Sequence, residues 1–285
     1  MKILVTGGSG YLGTHIRSHF KADDLSLRHG QDILNVEHAR AAGAYDVVIH
    51  LAASLDRSGV GSENTLNVNV DGTRKILKAM RKGSTFIFMS TKDIYARVAD
   101  QYSEVPETCP IDYMGQTAYE WSKHIAERYV ELYANTNEFR SCIFRLSTPY
   151  APPSEGNSPN FVGAIAEAIN SGEPIALPAE GRPVRDIIHV DDISAACESF
   201  LESAVRHGKY NLGGGRKNAI SMKELVEKME EASGLQAAID NETVLPAPSP
   251  MNYVSDLSLI DHELAWSPKV SIEDGLATLF RTAAK

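Results

Sequence analysis

The chain has 285 residues, 43% of them hydrophobic and 23% charged, and its formal net charge is -9 at pH 7. That is an ordinary composition for a folded protein of one large domain or two small ones. The acidic balance argues against a nucleic-acid or membrane-surface partner, because nothing would offset repulsion from phosphates. No apolar run approaches the roughly 18 residues of a membrane span.

Lys2–Thr6 reads as a short buried strand and Tyr11–Phe20 as a helix, with a weak strand at Leu25–Leu27 and a clear one at Asp46–Leu51. Asn64–Arg81 has a helical period, Thr85–Met89 is again a strand, Ala118–Ala134 a long helix and Ser141–Arg145 a strand. Strands separated by helices imply right-handed βαβ units and a parallel sheet, an α/β fold of the Rossmann type. Thr148–Pro159 is rich in proline and small residues and reads as a loop or lid, followed by a helix over Phe161–Ser171. A short strand at Ile187–Val190, a helix from Asp192 to about Val205, and an amphipathic helix over Ser221–Ser233 come next. Ser221 is placed as the N-cap of that last helix, with Glu224 completing a capping box. Leu245–Pro250 is an extended connector.

The expected organisation is a dinucleotide-binding domain over 1–147, to which 184–212 returns, and a smaller mixed α/β substrate domain over 148–183 and 213–285. The N-terminus MKILVTGGSG lacks the apolar run and cleavage site of a signal peptide. The three widely spaced cysteines read as buried small hydrophobes in a reducing compartment, so a cytoplasmic protein is expected. No His, Cys or carboxylate cluster has metal-ligand spacing.

The first strand runs into Gly7-Gly8-Ser9-Gly10-Tyr11-Leu12-Gly13, which satisfies G-x-G-x-x-G at Gly8, Gly10 and Gly13 and G-x-x-G-x-x-G at Gly7, Gly10 and Gly13. Glycine serves there for a tight turn, for close approach to a pyrophosphate and for helix–strand packing, while the helix N-terminus offers free N–H groups to the anion. NAD enzymes place a carboxylate at the end of the second strand to hold the ribose. Here Asp23 and Asp24 precede the expected strand and Arg28 follows it, so a 2′-phosphate acceptor and NADP are favoured over NAD. Asp32 and Ile33 could flank the adenine.

Tyr119 and Lys123 are four apart and share one face of a helix. An ammonium beside a phenol favours the phenolate, which can then exchange the proton that accompanies hydride transfer. Thr91, just past the strand 85–89, lies at the carboxyl end where open α/β sheets bind ligands, and is the expected hydroxyl donor.

Together these elements resemble the extended short-chain dehydrogenase/reductase family, especially its nucleotide-sugar epimerases, dehydratases and ketoreductases. Further matches are His50-Leu51-Ala52-Ala53 beneath the cofactor, Asn69-Val70-Asp71-Gly72-Thr73, Thr91-x-x-x-Tyr95, and Arg185-Asp186-Ile187-Ile188-His189-Val190-Asp191-Asp192. The resemblance implies cofactor contacts from Leu51, Ala52, Ala53 and Asn69 and a substrate-diphosphate contact from Arg185. It also implies a homodimer built on the helices around 64–81 and 118–134, where Trp121, Ile125 and Tyr129 could be interface or core.

The chain departs from the family pattern in three places. Lys92-Asp93 stands where sugar 4,6-dehydratases carry Asp-Glu, Thr148 stands at an asparagine that often contacts substrate, and Pro248–Val254 lacks a second arginine that Arg182 or Arg216 could replace. Lys92, Asp93, Thr148 and Arg185 are the expected substrate contacts. The expected activity is a 4-epimerase or 4-ketoreductase acting on a nucleotide-sugar, with dehydration disfavoured. The opposing reading, an NAD(P)-binding sensor or scaffold without turnover, sits poorly with the retention of Thr91, Tyr119 and Lys123.

Overall fold

The computed structural model describes residues 1–280. Strand β1 (Ile3–Thr6) enters helix α1 (Tyr11–Phe20) through the glycine turn. β2 is Asp23–Leu25, two residues earlier than the expected Leu25–Leu27. Register decides this: Val5 pairs with Asp24 and Thr6 with Leu25, and Leu27 then opens a 3-10 turn with its side chain 73% exposed. Asp24 therefore lies within the strand, not before it. A short α2 (Val36–Arg40) leads to β3 (Val47–His50).

The stretch expected as one helix over 64–81 is three pieces: α3 (Ser62–Leu66), a π-helical turn over Asn67–Gly72, and α4 (Thr73–Ala79). The Thr73 hydroxyl donates to the Asn69 carbonyl at 2.7 Å, which suits the widened turn. β4 (Thr85–Thr91) follows. Then come α5 (Ala118–Thr136), closed at its start by a Thr117–Glu120 capping box, and β5 (Arg140–Leu146).

The remaining elements are β6 (Thr148–Tyr150), α6 (Phe161–Ser171), β7 (Ile175–Ala176), β8 (Val184–His189), α7 (Val190–Glu202), β9 (His207–Leu212), β10 (Ala219–Ser221), α8 (Met222–Ser233), β11 (Ile239–Asp240), α9 (Ser258–Leu264) and α10 (Ile272–Phe280). α8 carries the Ser221–Glu224 capping box that its sequence announces.

The large sheet is parallel throughout, in the order β2-β1-β3-β4-β5-β9. Its order reverses between β1 and β3, and that switch point opens a crevice at the carboxyl ends of the strands. One apolar layer covers the face that carries α1, α7 and α9, and another the face that carries α4 and α5.

A smaller sheet, β10-β8-β6, packs with α6, α8 and α10 around a third core. The segment 184–212 is thereby divided. β8 pairs in the small sheet, while β9 completes the large one. No helix among the described residues is long and apolar enough to cross a membrane.

Candidate active site

A cavity of about 1100 Å³ opens at the switch point and runs from the glycine turn to β6 and β8. It exceeds what one drug-sized ligand needs. Its cofactor half is made largely of backbone. Gly7 has φ +71°, and a Cβ there would sit 2.8 Å from the Ala52 nitrogen; a Cβ on Gly13 would sit 2.1 Å from the Gly7 carbonyl oxygen. α1 starts at Gly10 with no side-chain cap and no acidic residue in its first turn, so its end is free to receive an anion. A dinucleotide pyrophosphate fits this cradle. Tyr11, Leu12, Leu51, Ala52 and Ala53 also line the cavity. Beneath them His50 lies between the hydroxyls of Thr6 (2.7 Å) and Thr73 (2.9 Å), and burial pushes its imidazole down to about 3, so it is neutral and structural.

Arg28, Asp32 and Ile33 reach the same half. The Arg28 guanidinium donates to the Ser9 carbonyl at 3.0 Å and to that of Gly156, bridging the glycine turn to the loop after β6. The Asp24 carboxylate, inside β2, is occupied by Arg17 (3.6 Å), His29 (3.0 Å) and the Ser26 hydroxyl (2.8 Å), and it does not line the cavity. Asn69 does not line it either. Its amide is spent on the Ser54 backbone and on the Ser122 hydroxyl, all within 2.9 Å, so it pins the loop after β3 to α5.

Thr91, Tyr119 and Lys123 meet in the middle of the cavity, at the end of β4 and the first turns of α5. Thr91 is also the N-cap of the 3-10 stretch Lys92–Gln101, accepting from the Asp93 N–H at 3.2 Å. Lys123 follows Tyr119 by one turn of α5. Its ammonium donates to the Met89 carbonyl at 2.7 Å, and burial lowers it to about 8 against the pull of Glu127. Tyr119 is itself raised to about 12 by burial and then by the negative Asp93; Arg57 and a hydrogen bond with Thr91 work the other way. Asp93, Arg57 and Thr91 bear on the phenol's acidity as well. At neutral pH Tyr119 holds its proton.

The substrate half is built from charged side chains. Lys92, buried, sits 2.7 Å from the Asp93 carboxylate and over the Tyr253 ring. Arg57 meets the other Asp93 oxygen at 2.5 Å. Burial alone would raise Asp93, but the two cations overcome it and hold the carboxyl far below the usual carboxylate range. Arg57 was not anticipated. It follows β3 in the loop at the carboxyl end of the sheet, a position that could have marked it.

Thr148 and Arg185 line this half. The Arg185 guanidinium donates to the carbonyls of Val184 (2.7 Å), Pro250 (2.9 Å) and Met251 (2.9 Å), tying the late connector to β8. Neither Arg182, bonded to the Ala179 carbonyl, nor Arg216, paired with Glu104 at the surface, lines the cavity, so neither replaces the missing late arginine there.

Behind the site a buried network fixes these elements together. Glu127 on α5 receives Ser90 (2.6 Å) and a two-point contact from Arg145 (2.8 and 3.1 Å), and Arg145 reaches Tyr95 (2.8 Å), which donates to Asn211 (2.7 Å). Burial opposes the Glu127 charge, but the His124 ring 3.8 Å away, Arg145 and Ser90 bring its carboxyl down to about 2.

A parallel sheet with a glycine-rich first turn and a Tyr/Lys/Thr group at its mouth defines a dinucleotide-dependent enzyme of the α/β class. The chain belongs to the NAD dependent epimerase/dehydratase family, whose model matches residues 3–213, and is thus of the extended short-chain dehydrogenase/reductase type. It is 27% identical to a CDP-paratose 2-epimerase of Salmonella typhi, with 98% of each chain covered, and 30% identical to a UDP-glucose 4-epimerase of Erwinia amylovora, with 96% of this chain and 95% of the other covered. Its fold is that of a UDP-glucuronic acid 4-epimerase of Bacillus cereus solved with UDP-glucuronic acid and NAD (TM-score 0.84, 24% identity, 98% of each chain covered).

Proposed function

We propose that this protein performs oxidation or reduction at C4 of a nucleotide-sugar, through Thr91, Tyr119 and Lys123. The observation that carries the reading is that these three side chains share one cavity with the glycine cradle. Bound NAD(P) would be held by Gly7, Gly10, Gly13 and the start of α1, and would supply the acceptor or donor for the hydride. Tyr119 would give or take the hydroxyl proton, Thr91 would orient the reacting oxygen, and Lys123 would hold positive charge beneath them.

Dehydration fits poorly. It needs a further acid and base beside Thr91, and Lys92 and a permanently ionised Asp93 stand at those positions.

Two modes remain within C4 chemistry. The 30% identity to a UDP-glucose 4-epimerase supports a 4-epimerase. The cationic Arg28 at the cofactor half supports a 4-ketoreductase using NADP(H). Asp24 is paired with Arg17 and does not line the cavity, whereas Arg28 does.

We place the protein in the cytoplasm, in keeping with its three free, buried cysteines. We also propose a homodimer through α3 and α5, where Leu66, Ile125 and Leu132 are exposed.

A thermal-shift panel of NAD, NADP and UDP-, GDP-, CDP- and dTDP-sugars tests the reading. One cofactor and one sugar nucleotide should raise Tm by mass action. An epimerase then converts that sugar without net NAD(P)H consumption, and a reductase consumes it mole for mole. A panel in which no sugar nucleotide raises Tm overturns the substrate class.

A further inference from the structure

Arg57 belongs to no motif described above, yet three observations converge on it. Its guanidinium lies 4.8 Å from the centre of the Tyr119 ring. Its Nη2 meets Asp93 at 2.5 Å and its Nε lies 3.4 Å from Glu120. It lines the cavity from the loop after β3 and meets the Asp93 oxygen that Lys92 does not. Asp93 is thereby shared between Lys92, which follows Thr91 in the chain, and Arg57, which covers Tyr119.

We infer that Arg57 is a positioning residue of this active site: a cation that clamps Asp93 and Glu120 around the Tyr119 ring and supplies the phenol with positive charge. The inference rests on Tyr119 being the proton-transfer group.

Physical chemistry requires such a group here. Tyr119 is buried on a helix whose own lysine is turned to the Met89 carbonyl. The charged and titratable groups that bear on the phenol are Asp93, Glu120 and Arg57, with Thr91 as hydrogen-bond partner and Lys123 on the same helix face. Lys92 pairs with Asp93 at 2.7 Å, and Asp93 also bears on Arg185. Both carboxylates resist a phenolate. Without Arg57, Asp93 and Glu120 would act on Tyr119 unopposed from that side. Arg57 adds a second cation to Asp93, which Lys92 already holds, and lies against Glu120, which Thr117 already holds. The Arg57 side chain is half-exposed, so its ion pair with Asp93 contributes little to stability, and a role in the chemistry can be separated from a role in folding.

The test follows Tyr119 directly and needs no substrate. Protein labelled with 3-fluorotyrosine is titrated by fluorine NMR, and the Tyr119 resonance is identified by its loss in Tyr119→Phe. In Arg57→Met its midpoint should rise by about one pH unit. Arg57→Lys should restore most of that shift, and Asp93→Asn should move the midpoint the opposite way. Tm should stay within a few degrees of wild type in Arg57→Met; if that variant does not fold, Arg57→Gln gives the same reading.

An unchanged midpoint in a folded Arg57→Met or Arg57→Gln protein overturns the inference. So does an equal shift in Arg57→Lys, which would make the effect one of shape and not of charge. Once a substrate is in hand, the limb of kcat against pH that Tyr119 sets, rising for oxidation and falling for reduction, should move with the midpoint while KM changes little. If Tyr119→Phe keeps its turnover, the proposed chemistry fails even where the fluorine midpoints shift as described, so the two failures are distinguishable.

Discussion

The two halves of the cavity are made of different material. The cofactor half is a backbone surface: glycines that admit no Cβ, a bare helix end and the main chain of Leu51–Ala53. The substrate half is a lattice of side chains, in which Lys92, Asp93, Arg57 and Arg185 are held by one another or by distant carbonyls. A backbone surface is specified by a few local residues and tolerates little. A side-chain lattice is specified by contacts across the whole chain, and each of its members can be exchanged when its partner is.

The contrast can be attacked at several points. Tyr119→Phe, at the seam, should lower kcat by about 10² to 10⁴ while cofactor affinity, read by nucleotide fluorescence, stays within a few-fold. Turnover within a few-fold of wild type would remove the seam from the chemistry.

Glu127→Ala strikes the floor under both halves. It leaves the buried Arg145 uncompensated, and denaturant unfolding should show a loss of about 3–5 kcal/mol. The sign with pH follows from a carboxyl lowered from its ordinary 4.5 to about 2. Its stabilisation is complete above about 4.5 and is lost as pH falls through the interval towards 2, so wild type and variant should converge in acid.

Gly13→Ala addresses the backbone half alone. The new methyl meets a carbonyl that cannot move aside, and cofactor affinity should fall by up to about 100-fold, the equivalent of an overpacking cost of 1–3 kcal/mol. An alanine enzyme that binds NAD(P) normally would break the contrast.

Arg28→Ala is the mildest: NADP should weaken about tenfold against unchanged NAD, by titration calorimetry. Equal loss of both would assign Arg28 to the Gly156 bridge and not to the 2′-phosphate.

The same contrast governs what could be read from the sequence. The glycine turn, strands β1, β3, β4 and β5 and the long helix α5 carry local patterns, and they lie where the patterns put them. β9 carries no such pattern. His207–Leu212 includes a lysine and an asparagine, and Asn211 is tolerated in the sheet because Tyr95 and the Val105 carbonyl satisfy it from outside the strand. β2 slipped two residues because register with β1, not apolar content, places it. At the site, Tyr119 and Lys123 were picked from their spacing and Thr91 from its place after a strand, and all three line the cavity. The direction of the Lys123 ammonium, the outward use of Asn69 and the presence of Arg57 were not legible, since each depends on a partner far away in the chain.

The late connector has a bearing on the order in which the molecule can be made. Tyr253 bridges to Arg185, Ser255 to Val105, and the Ser255 N–H reaches the Asp186 carboxylate, which also takes Ser147 and Gly215. These are contacts of high sequence separation, and their loop-closure entropy delays them. During vectorial synthesis the large sheet has all its strands once residue 212 has emerged. Asp186 and Arg185 must wait for residues some 65 further on. The dinucleotide cradle and most of the substrate wall have thus been made while the part that Met222, Pro248 and Ser249 supply is still missing, and the connector adds it late.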